Sequence, residues 1–137
     1  VENNIEISYS PPEPEEYISL RIAAGLSPKD LTGSKIALQN SLFVVTLRHL
    51  DKRLIGMGRI IGDGGCFFHI VDIAVDPIYQ GKGLGKLIMT EIMNYLDEEA
   101  PKGSYVSLIA DVPADKLYKR YGFEYTDPKS VGMYKKY

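Results

Sequence analysis

The chain has 137 residues, 45% hydrophobic and 25% charged, with a formal net charge of -2. That length suffices for one domain with a core that needs no covalent staple, and the near-neutral balance excludes the general polycationic footprint of a nucleic-acid binder. The single cysteine, Cys66, excludes an internal disulfide.

No apolar run nears the roughly 18 residues that span a bilayer. The first residues lack the basic-then-apolar order of a signal peptide. A cytoplasmic setting is therefore the expectation, with neither membrane nor nucleic acid as partner.

Ile5, Ile7 and Tyr9 alternate with polar residues and read as a short half-buried strand. Pro11-Pro12-Glu13-Pro14 ends it and opens a helix in which Tyr17, Leu20, Arg21 and Ala24 recur at helical spacing, with Gly25 as its stop. Ser27-Pro28-Lys29-Asp30 caps a second, weaker helix through Leu31, Ile36 and Leu38. Leu42 to Leu47 and Leu54 to Ile61 are strand-like and are joined by the polar connection His49-Leu50-Asp51-Lys52-Arg53.

Gly62-Asp63-Gly64-Gly65 is a tight turn into Cys66 to Val75, an apolar run interrupted only by His69 and Asp72. A strand so apolar is expected to be covered on both faces. Lys82 to about Ala100 carries the clearest helical stripe, Leu84, Leu87, Ile88, Ile92, Met93, Tyr95 and Leu96. Tyr105 to Ala110 reads as a strand, and a short helix from about Pro113 to Arg120 stops at Gly122. Phe123 to Tyr125 and Val131 to Lys136 are expected to supply one or two closing strands. The order predicts an α/β (α+β) sandwich with helices on both faces of one sheet, a single domain over 1–137.

The glycines between Tyr79 and Lys86 follow a strand and precede the long helix. Such a loop presents backbone N–H groups at the positive end of a helix and suits a phosphate or pyrophosphate. It lacks the Gly-Lys-Ser/Thr ending of a Walker loop. It also lacks the G-x-G-x-x-G spacing of a dinucleotide site and comes after the fourth strand rather than the first. The order Gln80-x-x-Gly83-x-Gly85 narrows the reading further.

With Ala74-Val75-Asp76-Pro77 leading in and Tyr79 before it, this stretch resembles the acyl-CoA signature Arg/Gln-x-x-Gly-x-Gly/Ala of the GNAT N-acetyltransferase superfamily. Ala114-Asp115-Lys116-Leu117-Tyr118-Lys119-Arg120-Tyr121-Gly122-Phe123 is similar to that family's Ala-x-x-Leu-Tyr-x-x-x-Gly-Phe segment. The order of elements matches as well. The resemblance implies the GNAT fold, with a mixed, mostly antiparallel sheet of six to seven strands, and an N-acetyltransferase that uses acetyl-CoA as cosubstrate.

Carried over by position, the resemblance implies that backbone amides from Gln80 through Gly81, Lys82, Gly83, Leu84 and Gly85 hold the CoA pyrophosphate, with charge from Lys82 and Lys86. Backbone groups of Ile73, Ala74 and Val75 pair with the pantetheine arm like an added strand. Tyr118 matches the tyrosine that protonates the departing CoA sulfur. His69, six residues before Val75, stands where family members carry a glutamate or a histidine, and an imidazole is suited to relay the amine proton at neutral pH. The acceptor is expected to be a primary amine, with a small molecule favoured by the short connections. Family precedent admits a homodimer.

Other readings stay beside this one. A domain that binds acyl-CoA without turnover fits the loop but has no need of Tyr118, and a protein lysine or N-terminus is the alternative acceptor. Asp72, one position out of phase with His69 in a regular strand, is expected to face the other side and to need a partner, either within the fold or in the amine. Glu13, Glu15, Glu16 and Asp30 either attract a cationic amine or are solvated helix-start acids. Cys66-x-x-His69 has no second ligand pair, so no metal is expected.

Overall fold

The computed structural model describes residues 4–137, which fall into two compact units, one through Ser107 and one over Leu108–Tyr137. The first carries nearly all of the sheet. β1 (Ile5–Ser8), β2 (Phe43–His49), β3 (Leu54–Gly62) and β4 (Phe67–Val75) pair in sequence, all antiparallel. β5 (Tyr105–Leu108) follows β4 in the strand order. The Tyr105 N–H donates to the Cys66 carbonyl at 2.8 Å and Ser107 reaches His69, so β5 runs parallel to β4. A strand that returns through a crossover helix has that direction.

The turns are built from side chains that catch backbone donors. Asp63 Oδ1 accepts from the N–H of Gly65 (2.9 Å), Cys66 (2.8 Å) and Phe67 (3.0 Å), which bends the chain from β3 into β4. Those three N–H groups, Phe67 foremost, hold the Asp63 carboxyl down to about 2. Asp30 caps α2 (Leu31–Gln39) by accepting from the Gly33 N–H at 2.8 Å. After α1 (Pro14–Ala23) Gly25 takes φ +88, and the Leu26 N–H returns to the Arg21 carbonyl at 2.8 Å, a left-handed stop where the glycine in the sequence suggests one.

Each face of the sheet is closed by different helices. Tyr17, Leu20 and Leu38 of α1 and α2 pack with Leu54, Met57 and Ala74 of β3 and β4 into one buried cluster. α3 (Leu84–Glu99) buries Leu84, Ile88, Met89, Ile92 and Leu96. It seats closely because β3 presents Gly58 there: a Cβ at Gly58 would lie 2.7 Å from Ile88 Cγ2, and 2.9 Å from the Cδ1 atoms of Ile73 and Ile92. β4 is thus covered on both sides, Ala74 by α1 and α2 and Ile73 by α3, as its apolar run predicts.

In the second unit, α4 (Asp115–Lys119) is followed by Gly122 at φ +91, again a left-handed stop. The expected closing strands are not formed, so the sheet has five strands among the described residues rather than six or seven. Pro128 has no N–H to offer a ladder, and the Ser130 N–H folds back to the Thr126 carbonyl at 3.0 Å, which makes a turn of that segment. Beyond it Val131, Met133 and Tyr134 are 67%, 90% and 89% exposed, so the β-forming side chains of this run are not buried as those of a sheet strand would be.

Candidate active site

The centre of the first unit's chemistry is a β-bulge in β4. Arg59 stands opposite Val71 and Met57 opposite Ala74, so Asp72 and Ile73 together face the single residue Gly58. Asp72 sits at φ +61, a left-handed conformation that aspartate tolerates better than most residues. Its side chain is 4% exposed and fully engaged. Oδ2 accepts from Tyr17 Oη (2.8 Å) and Arg59 Nε (2.7 Å), and Oδ1 accepts from Arg21 Nη1. Arg59 also donates to the Ala37 carbonyl and Ser41 Oγ, and Arg21 to the Ser27 carbonyl and Ser27 Oγ. Burial, and next the charge of Asp72, raise the Tyr17 phenol above its usual range.

The bulge corrects one expectation. Residues directly opposite in an antiparallel pair point to the same face, and His69 opposes Ile61, which shares a face with Arg59 and Met57. Asp72 bonds Arg59 and α1 on that same face. His69 and Asp72 therefore lie on one side of the sheet, because the extra residue breaks the alternation that would separate them. Asp72 meets its need for a partner within the fold.

His69 is half-buried, and its Nδ1 lies 2.8 Å from Ser107 Oγ on β5. Further along, the Asp76 N–H donates to the Ile55 carbonyl at 2.8 Å. By the alternation of an antiparallel ladder, Val75, opposite Gly56, turns its backbone groups away from β3. The Val75 carbonyl takes a 3.0 Å hydrogen bond from Gln80 Nε2, which ties the signature glutamine back to the strand.

Asp76 starts the 3-10 turn Pro77–Tyr79 by accepting from the Ile78 N–H at 3.0 Å. Gly81 and Gly83 then take φ +78 and +83, with nothing within 4 Å of where a Cβ would stand. Gly83 is the N-cap of α3 and has no side chain to cap it. The loop is exposed from Gln80 to Gly83, and the helix N-terminus opens toward solvent. Glycine is required here by backbone conformation first, and the bare cradle is suited to an anionic group held by amides.

Sequence reading missed the anchor of this loop. Arg53 Nη2 donates to Tyr79 Oη at 2.9 Å, and the Arg53 guanidinium and Lys82 ammonium lie 5.6 and 5.9 Å from the Tyr79 ring centre. Two of the acids that open α1 and α2 have structural duties. Glu16 pairs with Arg48 and accepts from the Glu13 N–H, while Asp30 is a cap. Glu15, Glu16 and Asp76, with Arg53, do line a cleft of about 380 Å³. Among the described residues no three His, Cys, Asp or Glu side chains gather to hold a metal, and Cys66 is exposed.

The second unit carries Tyr118, half-buried on α4. Burial, and then the charge of Asp111, raise its phenol above the usual 10.0, which keeps the hydroxyl protonated. It lines a cavity of about 600 Å³ with Ile109, Phe123, Tyr125, Met133 and Tyr134.

Residues 23–133 match the family model described as an acetyltransferase (GNAT) domain. The chain belongs to the GNAT acetyltransferase family. A Staphylococcus aureus protein described as a probable acetyltransferase is 53% identical over 97% of this chain and 99% of its own, with a TM-score of 0.93. A histone acetyltransferase of Glycine max is 33% identical over 121 residues, 80% of this chain and 51% of its own. An Escherichia coli GNAT-family N-acetyltransferase solved in complex with CoA shares the fold, with 20% identity, a TM-score of 0.65, and coverage of 88% of this chain and 69% of that one. The chain spans 48–65% of the length of three curated acetyltransferases that it matches.

Proposed function

We propose that the chain transfers an acetyl group from acetyl-CoA to a primary amine, with a small molecule as the favoured acceptor. The observation that carries this reading is the two left-handed glycines, Gly81 and Gly83, which open the uncapped start of α3 beside the Val75 edge of β4. Amides from Gln80 to Gly85 hold the pyrophosphate, with Lys82 and Lys86 adding charge. The Ile73 to Val75 backbone guides the pantetheine arm. A homologue-fold protein bound to CoA supports the same ligand.

In this reading His69 takes a proton from the acceptor ammonium. The freed lone pair forms the C–N bond at the thioester carbonyl carbon, and the oxyanion is met by a backbone N–H near Val75. The C–S bond then breaks, and the thiolate takes its proton from a phenol, the role that the family pattern gives Tyr118. The phenolate so formed takes up the second proton that the acylated nitrogen loses as it becomes a neutral amide.

The Glycine max relative supports a second reading, in which the acceptor is a peptide lysine. Thiol release from acetyl-CoA, measured against small amines, polyamines, amino acids and lysine peptides, separates the two. Fastest release with a small amine fits the first reading, and fastest release with a peptide replaces it. Binding of acetyl-CoA with release from no acceptor favours a sensor.

A further inference from the structure

We propose that Ser107 is a positioning residue for His69: its hydroxyl oxygen accepts the Nδ1–H and so holds the imidazole in the tautomer whose Nε2 lone pair is open. The proposal deepens the reading of His69 as the base and rests on it.

The pair is fixed from both ends. His69 sits in β4 opposite Ile61, Ser107 sits in β5, and Nδ1 and Oγ are 2.8 Å apart. His69 is half-buried rather than sealed, and its Nε2 is not among the buried nitrogens left without a hydrogen-bond partner. The buried carboxylate on the same face, Asp72, is already filled by Tyr17, Arg21 and Arg59. A base histidine is usually oriented through its second nitrogen by a carboxylate or carbonyl; here that place falls to a hydroxyl.

A hydroxyl can donate or accept, and the two choices have opposite consequences. If Ser107 donated to Nδ1, the proton of the neutral ring would lie on Nε2, which could then accept nothing. If Nδ1–H donates to Ser107 Oγ, the bond persists in both states of the ring, because Nδ1 carries a proton in the imidazole and in the imidazolium alike. The transfer then needs no movement of the ring. One N–H bond breaks at the acceptor ammonium, one forms at Nε2, and the positive charge passes to the imidazolium.

The test is the tautomer, read by NMR on protein with 15N-labelled histidine, at a pH where the ring is neutral. Wild type is expected to show a protonated Nδ1 and an unprotonated Nε2. Ser107→Ala should move protonation toward Nε2 and lower kcat roughly tenfold, a fraction of what a general base contributes, with KM for acetyl-CoA unchanged. Ser107→Thr should restore both. The rate is measured with whichever amine of the panel gives fastest thiol release.

A wild-type ring protonated on Nε2 overturns the proposal, as does a Ser107→Ala protein with unchanged tautomer and unchanged kcat. His69→Ala at full kcat, with the wild-type tautomer as expected, overturns the base reading instead and leaves the Ser107 contact purely structural. The two failures are therefore distinct.

Discussion

Asp72 accepts a 2.7 Å hydrogen bond from Arg59 across a bulge in which Asp72 and Ile73 share one opposing residue, Gly58. The carboxylate is the only formal negative charge in its group and answers two buried guanidiniums, Arg59 and Arg21, whose side chains are 7% and 9% exposed. Removing one partner of such a group leaves charge buried without compensation, at a cost of about 3–5 kcal/mol. Asp72→Ala should lose about that much in urea unfolding. A loss under about 1 kcal/mol would mean that the bulge is held by other contacts.

Gly58 has its own duty on the opposite face. A methyl group there meets Ile88 and Ile92 of α3, and Ile73, at 2.7–2.9 Å, and the branched Ile88 Cγ2 cannot swing aside as a flexible chain end would. Overpacking of this kind costs ~1–3 kcal/mol. Gly58→Ala should lower the melting temperature accordingly, whereas Gly33→Ala, whose nearest neighbour would be 3.5 Å away, should not destabilise by crowding.

The β3–β4 turn should carry an acid sensitivity. The Asp63 carboxyl falls from 3.8 in the unfolded chain to about 2 in the fold, held by N–H groups that bond the ionised form more strongly. Its stabilisation is complete above 3.8 and is lost as pH falls toward and through about 2. In Asp63→Asn the decline of stability between those pH values should be shallower than in wild type, as followed by unfolding at fixed urea. Parallel curves would remove Asp63 as a contributor.

For Tyr118, a raised phenol means that the acid form persists through neutral and mildly alkaline pH. No falling limb of kcat from this group is expected below pH 10.0, its ordinary value. Tyr118→Phe should lower kcat about 10²-fold or more, the usual contribution of a general acid, and leave acetyl-CoA affinity unaltered. An unchanged kcat would take Tyr118 out of the reaction.

Much of this was legible because local chemistry and the final fold agree. The α3 stripe, the glycine stops at Gly25 and Gly122, and the turns at Asp63 and Lys52 are short-range signals that tertiary packing did not override. Asp72 could be read as needing a partner, and Arg59, the one charged residue in the apolar run of β3, together with Arg21 on the apolar stripe of α1, was the available clue to which.

The bulge itself was hidden. Aspartate tolerates a left-handed conformation but does not announce one inside an apolar strand, and counting by twos put His69 and Asp72 on opposite faces. The closing strands failed for a related reason. Val131 to Lys136 has strand composition, but a strand exists only where an edge receives it, and composition does not report edges.

The central claim is that the loop from Gln80 to Gly85 holds the pyrophosphate of acetyl-CoA, and ligand-dependent stabilisation tests it most directly. The melting temperature should be measured with and without excess acetyl-CoA for wild type and for Gly83→Val, which forces a β-branched residue into φ +83 at a position where an added Cβ meets no atom within 4 Å. At [L] = 100 Kd the wild type should gain about 2.7 kcal/mol, and its melting temperature should rise. The variant should fold and gain far less. A folded wild type whose melting temperature does not move, or a variant stabilised as fully as wild type, would contradict the assignment of this loop.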